Sequence, residues 1–132
     1  EAPQEGCYPA RVALADEVAF VSVGRGPKAR VEAFDVGTGR RLRRFEAPEE
    51  ASRDFGGRIA ACGSSLLVED GIGRRVHVYD RESGRRTSAL GPPGAARSFG
   101  WALGCWQGRP VVTDPDLPAT PPQVHGRVYV YE

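Results

Sequence analysis

One feature limits the fold of this chain more than any other: its phrases recur in order at a fixed spacing. Phe55-Gly56 opens a run of small residues, then an apolar run, then Val76-His-Val-Tyr-Asp80. Val31-Glu-Ala-Phe-Asp35 stands 45 residues before that last phrase, and Gly39-Arg40-Arg41 stands 45 before Gly84-Arg85-Arg86. Phe99-Gly100 follows Phe55-Gly56 by 44 residues, while Val128 follows Val76 by 52, because Thr113–Val124 carries an insertion. Self-similarity at a period of 20–50 residues marks a chain built from copies of one supersecondary unit, each burying its apolar faces against its neighbours.

A unit of this length holds four short strands, the size of a β-propeller blade. Strand A is predicted at Gly57–Ala61, with partners Arg11–Leu14 and Trp101–Gly104. Strand B falls at Leu66–Glu69, Ala19–Val23 and Val111–Thr113, and strand C at Val76–Tyr79, Val31–Phe34 and Val128–Tyr131. Strand D falls at Arg86–Leu90 and Arg41–Phe45, with no third copy. Strand A is rich in Ala and Gly, which suits strands crowded round an axis. Strand C alternates with period 2, placing Val76 and Val78 on one face and His77 and Tyr79 on the other. Gly56 and Gly100, each after an aromatic, permit a close backbone approach or a bend. Val36–Gly39 and Arg81–Gly84 read as C–D hairpin loops. Helical periodicity is absent. The expected fold is therefore all-β: residues 1–132 form propeller blades of four antiparallel strands, at about 7–46, 54–91 and 98–132, the last lacking its outer strand.

The order Phe-Gly, small apolar strand, Gly-containing turn, "LLV" or "PVV", loop, then "GRVYVY" resembles the FG-GAP repeat of integrin-α-like β-propellers, and most closely its bacterial variety. Phe55, Gly56, Phe99, Gly100, Tyr79 and Tyr131 carry the resemblance as structural motif residues. It implies a non-catalytic propeller that binds a protein or glycan partner, secreted or at the cell surface. The Gly-Ala-Pro element of the family is degenerate here, as Val21–Gly24, Val68–Gly71 and Val112–Pro115. The calcium-binding form carries an Asp-rich loop between strands A and B. Here those turns are Ala15–Glu17, Cys62–Ser65 and Trp106–Arg109, short of the six to eight oxygens calcium takes. No metal and no cofactor is expected.

Composition removes other classes. A net charge of +1 gives no electrostatic reason for nucleic-acid or membrane attraction, and no run of 18 apolar residues exists to span a membrane. Cys7, Cys62 and Cys105 fit neither a CxxC motif nor a zinc spacing. Buried free thiols are the expectation for two of them, with one disulfide left open. The chain opens at Glu1 without an initiator Met. Three units short of one strand do not close a ring, so the expected partners include further blades, from the same chain or another.

Among residues with chemistry, His77 is expected to be structural, since its copies are Glu32 and Tyr129. Trp101 and Trp106 are expected to pack in the core or around the ring. Arg40–Arg44 alternates with Leu42 on an outer strand, as solvated edges do. By strand order, the B–C and D–A loops open on one rim, and the candidate binding residues there are Arg53, Asp54, Arg97, Asp114, Asp116 and His125. Two alternatives stand beside the binding module. One is a quinoprotein-like propeller enzyme, prompted by Phe34–Gly39, although the Trp expected after that phrase is missing. The other is a purely structural set of blades inside a large complex.

Overall fold

A computed structural model describes residues 11–24, 26–71, 75–94, 96–115 and 126–132. These form three antiparallel sheets. The first has the order β1 (Val12–Ala15), β2 (Val18–Val23), β3 (Arg30–Asp35), β4 (Arg41–Glu46). The second has β5 (Phe55–Cys62), β6 (Ser65–Asp70), β7 (Val76–Asp80), β8 (Arg86–Leu90). The third contains β9 (Leu103–Trp106), β10 (Arg109–Asp114) and β11 (Arg127–Val130). The all-β expectation and the four-stranded meander both hold.

Tight turns set the register. The first two strands of each sheet are joined by two residues: Asp16-Glu17, Gly63-Ser64 and Gln107-Gly108. Asp16 and Glu17 both have positive φ, as do Gln107 and Gly108, which is the geometry that matches the twist of a hairpin. The third and fourth strands are joined by a repeated turn. Asp35 Oδ1 accepts from Thr38 N at 2.8 Å and Asp80 Oδ2 accepts from Ser83 N at 2.9 Å. These bonds hold both carboxyls below the usual Asp range: for Asp35 chiefly the backbone bond from Thr38, for Asp80 chiefly the side-chain bond with Ser83. The Asp-x-x-Thr-Gly phrase that prompted the quinoprotein alternative is thus accounted for by a turn.

The third sheet departs from the expected strand A. It starts at Leu103 instead of Trp101, because Gly100 takes a positive φ and Trp101 N turns back onto the Ser98 carbonyl at 3.1 Å. Cys105 and Trp106 consequently lie within the strand.

Two apolar layers fill the gaps between the sheets. Phe20, Val31, Ala33 and Phe45 of the first sheet meet Phe55, Leu66, Val68 and Tyr79 of the second. Leu67, Val76 and Val78, on the other face of the second sheet, meet Phe99 and Val112. The second sheet therefore buries alternate residues in opposite directions, which is why Val76 and Tyr79 are both fully or almost fully buried. The Phe-Gly pair follows from this stacking. Phe55 packs edge-on to Tyr79, and Phe99 to Tyr131. Gly56 then passes so close to the first sheet that a Cβ would lie 3.1 Å from Ser22 Cβ. At Gly100 a Cβ would lie 3.0 Å from Glu69 Cγ in the second sheet. With φ of 86° and 89°, both positions favour glycine on conformation as well as space.

The tyrosines repeat a second bond between sheets. Tyr79 donates from its hydroxyl to the Glu46 carbonyl at 2.6 Å, and Tyr131 donates to the Gly91 carbonyl at 2.8 Å. Each reaches the end of the outer strand of the preceding sheet. Phe34, at the corresponding place in the first sheet, has no hydroxyl.

The free-thiol expectation is corrected for two cysteines. Cys62 and Cys105 are joined in a disulfide with Cα atoms 5.2 Å apart. The bond ties β5 to β9, because the stacked inner strands bring residues 43 apart in sequence face to face. Cys7 lies outside the described residues.

Candidate ligand-binding surface

The rim carrying the loops before β5 and after β6 is anchored by a polar chain with a buried centre. Asp70, the last residue of β6, accepts from His77 Nε2 at 2.9 Å and from Ser52 N at 2.6 Å. Arg86 lies 3.2 Å from His77 Nδ1 and 2.7 Å from Glu50 Oε1. A guanidinium can only donate, so Nδ1 faces Arg86 as an acceptor and Nε2–H faces the Asp70 carboxylate as a donor. Burial alone would raise the Asp70 pKa, but the bonds from His77 and Ser52 outweigh it and hold the carboxyl below its usual range. The chain runs from the loop before β5 through three strands, so it fixes that loop on the sheet. His77 and Asp70 are both 0% exposed, so the pair has a structural place, as expected for His77, and no access to a substrate.

The third sheet repeats part of this arrangement. Asp114, at the end of β10, accepts from Ser98 N at 3.2 Å and is 3% exposed. It was expected among the open rim residues; the structure instead buries it against the segment before Phe99. Arg53 and Asp54 are exposed in the turn before β5, and Arg97 is exposed ahead of Phe99. The Arg53 carbonyl accepts from Gly26 N at 3.0 Å, which closes the Gly26–Lys28 turn against this loop. Between them lies a hollow of about 470 Å³ lined by Pro27, Ala47, Pro48, Ser52 and Arg53. Asp116 and His125 lie outside the described residues.

Nearer the centre, the starts of the inner strands make a second hollow of about 290 Å³, lined by Arg11, Arg58, Trp101 and Leu103 among others. Arg11 Nε donates to the Gly57 carbonyl at 3.2 Å, and the Arg58 guanidinium lies 5.0 Å from the Trp101 ring centre. Each arginine thus reaches from one sheet to the next. Trp101 and Trp106 are 43% and 52% exposed, so of the core and ring packing expected for them the core is excluded. Both are covered on one face by an arginine instead, Arg58 and Arg109.

Behind this hollow sits Glu69, 2% exposed, against Gly57 and Gly100. Its Oε1 has no hydrogen-bond partner. Burial pushes its pKa up to about 7, against the pull of the neighbouring Arg58. Sequence reasoning missed Arg11, Arg58 and Glu69. The first two could have been found, since Arg11 and Arg58 stand one residue before Val12 and Ile59, whose cross-strand partners Val21 and Val68 correspond in the repeat.

On the outer strand of the first sheet, Arg41 and Arg44 lie 3.6 and 3.4 Å from Glu32 Oε1, and Arg30 lies 2.8 Å from it. The arginine run is therefore partly neutralised by the adjacent strand. Among the described residues no cluster of three or more His, Cys, Asp or Glu could hold a metal ion, and no helix is long and apolar enough to cross a membrane.

No protein-family model matches the sequence, and no curated protein matches it either. Among solved structures, the chain is similar to the crystal structure of the WD40 beta propeller domain of Doa1. The TM-score is 0.50 at 21% identity, over 77% of this chain and 32% of that one. The match thus spans about a third of that chain's length. The three stacked antiparallel sheets are similar to the blades of a β-propeller.

Proposed function

We propose that the chain is a non-catalytic β-propeller module of the FG-GAP kind, which binds a protein (or glycan) through the loops of the rim bearing Arg53, Asp54 and Arg97. The observation that carries this reading is the Glu50–Arg86–His77–Asp70–Ser52 chain, buried at His77 and Asp70 and reaching the surface at Arg86 and Glu50. It holds a loop rigidly beside an open hollow, so that binding a partner there costs little ordering entropy. The Phe-Gly geometry, with its glycine laid on the preceding sheet, supports the FG-GAP assignment. Chemistry has less support, because the His–Asp pair is sealed inside the sheet stack. The Cys62–Cys105 disulfide favours an oxidising compartment, consistent with secretion or a place at the cell surface.

Further blades are the second partner. Val12 and Leu14 on the outer face of the first sheet are 60% and 68% exposed, and Val128 and Val130 on the outer face of the third are 64% and 46% exposed. Val128 and Val130 stand where Val76 and Val78 stand in the second sheet, and those two pack against the next sheet.

The test is binding of purified protein to arrays of extracellular proteins and glycans. Arg53→Ala and Arg97→Ala should each weaken the interaction found, while Arg40→Ala on the opposite rim should leave it intact. A partner that responds only to Arg40→Ala, or turnover linked to a quinone chromophore, would overturn the reading.

A further inference from the structure

The hollow at the axis is basic on its walls and apolar on its floor. Arg11 and Arg58 occupy the same place in successive sheets, and each turns towards the sheet that follows. Arg11 uses its Nε on a backbone carbonyl. Arg58 uses the face of its guanidinium on Trp101. A guanidinium carries five N–H donors in a planar fork that matches a carboxylate two bonds at a time. Among the described residues no carboxylate forms an ion pair with either fork. Leu103 and the exposed part of Trp101 supply the apolar surface beside them.

We propose that this axial hollow binds an acidic peptide segment, with Arg11 and Arg58 taking its carboxylates and Trp101 taking an adjoining apolar side chain. Glu69, a carboxylate beside Arg58, is buried and holds its proton up to about pH 7, so it neutralises the guanidinium incompletely. An acidic peptide fits better than a nucleic acid. A single strand needs a basic stripe that tracks its phosphates, whereas this chain has a net charge of +1 and exposes Asp54 on the same rim. The inference rests on the binding-module reading and adds to it a place and a chemistry.

The experiment is titration of the Trp106→Phe protein with poly-L-glutamate at low salt, following Trp101 fluorescence. The expected result is a saturable change that weakens about tenfold in Arg58→Gln or Arg11→Gln, as loss of a charge-assisted contact does. It should also weaken as salt rises and stay unchanged in Arg40→Gln. Thermal unfolding of each variant establishes that it is folded. No saturable response, or equal loss in Arg58→Gln and Arg40→Gln, overturns the proposal. So does saturation by oligo(dT) with none by polyglutamate, which would assign the hollow to nucleic acid. If Arg53→Ala and Arg97→Ala weaken a partner from the arrays while Arg58→Gln does not, the axial site fails and the binding module survives.

Discussion

Single side chains carry much of what joins one sheet to the next. The Tyr79 hydroxyl meets a carbonyl of the preceding sheet, so Tyr79→Phe should lower stability by about 0.5–1.5 kcal/mol, the net worth of one hydrogen bond. Denaturant unfolding measures it, and an unchanged midpoint would mean that the bond contributes nothing. Glu69 gives a pH signature of unusual sign for an acid. Its folded pKa of about 7 lies above the unfolded value of 4.5. Its contribution to stability is therefore fully present below 4.5 and lost as pH rises through about 7. Desolvation of the carboxyl sets this against the pull of Arg58, with Asp70 and Asp54 adding to the rise. Glu69→Gln should flatten the fall in melting temperature between pH 4.5 and about pH 7, while matching parent and variant profiles would count against the burial argument. Asp70 acts the other way: its folded pKa is depressed, so its contribution is present above 3.8 and fades as acid protonates it.

At the scale of strands and turns, the inner strands of the second and third sheets are held together covalently. Replacing Cys62 and Cys105 together by Ala should cost about 3–4 kcal/mol, because the bond closes a long loop in the unfolded chain. Thermal unfolding of the parent with and without reductant should reproduce the loss; equal melting temperatures would show that the sheets need no staple. The Phe-Gly turn is the other element-level device. Gly100→Ala adds a left-handed alanine and a methyl against Glu69, a combined cost of about 1–3 kcal/mol. These elements were largely legible in advance. Strand β8 falls where the pattern placed it, and most others extend a residue or so further. Strand β9 was misplaced by two residues because a left-handed glycine and the bend at Trp101 interrupt an otherwise strand-like run.

For the molecule as a whole, the exposed valines at both ends of the stack are the main consequence of its architecture. Leu14→Arg and Val130→Arg put charge on faces whose counterparts inside the stack, Ala61 and Val78, are partly buried and buried. If those faces receive further blades, the parent should run in solution above the mass of one chain, and either variant should shift it towards monomer. A parent that is a stable monomer by light scattering, unchanged by both substitutions, would remove the idea.

The sequence by itself determined the repeat, the strand count of each unit and the need for glycine after the aromatic of the Phe-Gly pair. Those features are local or periodic: a period-2 pattern, a turn glycine and a fixed spacing survive in one dimension. What only the tertiary structure decided depends on which residues of different units face one another across the stack. The Cys62–Cys105 bond, the burial of Asp114 and Glu69, and the alignment of Arg11, Arg58 and Trp101 over one hollow are all contacts between sheets. Their partners lie tens of residues apart, so no spacing along the chain announces them. The axial hollow is read from the stack for the same reason that the Phe-Gly motif is read from the sequence: one joins different units, the other repeats within each.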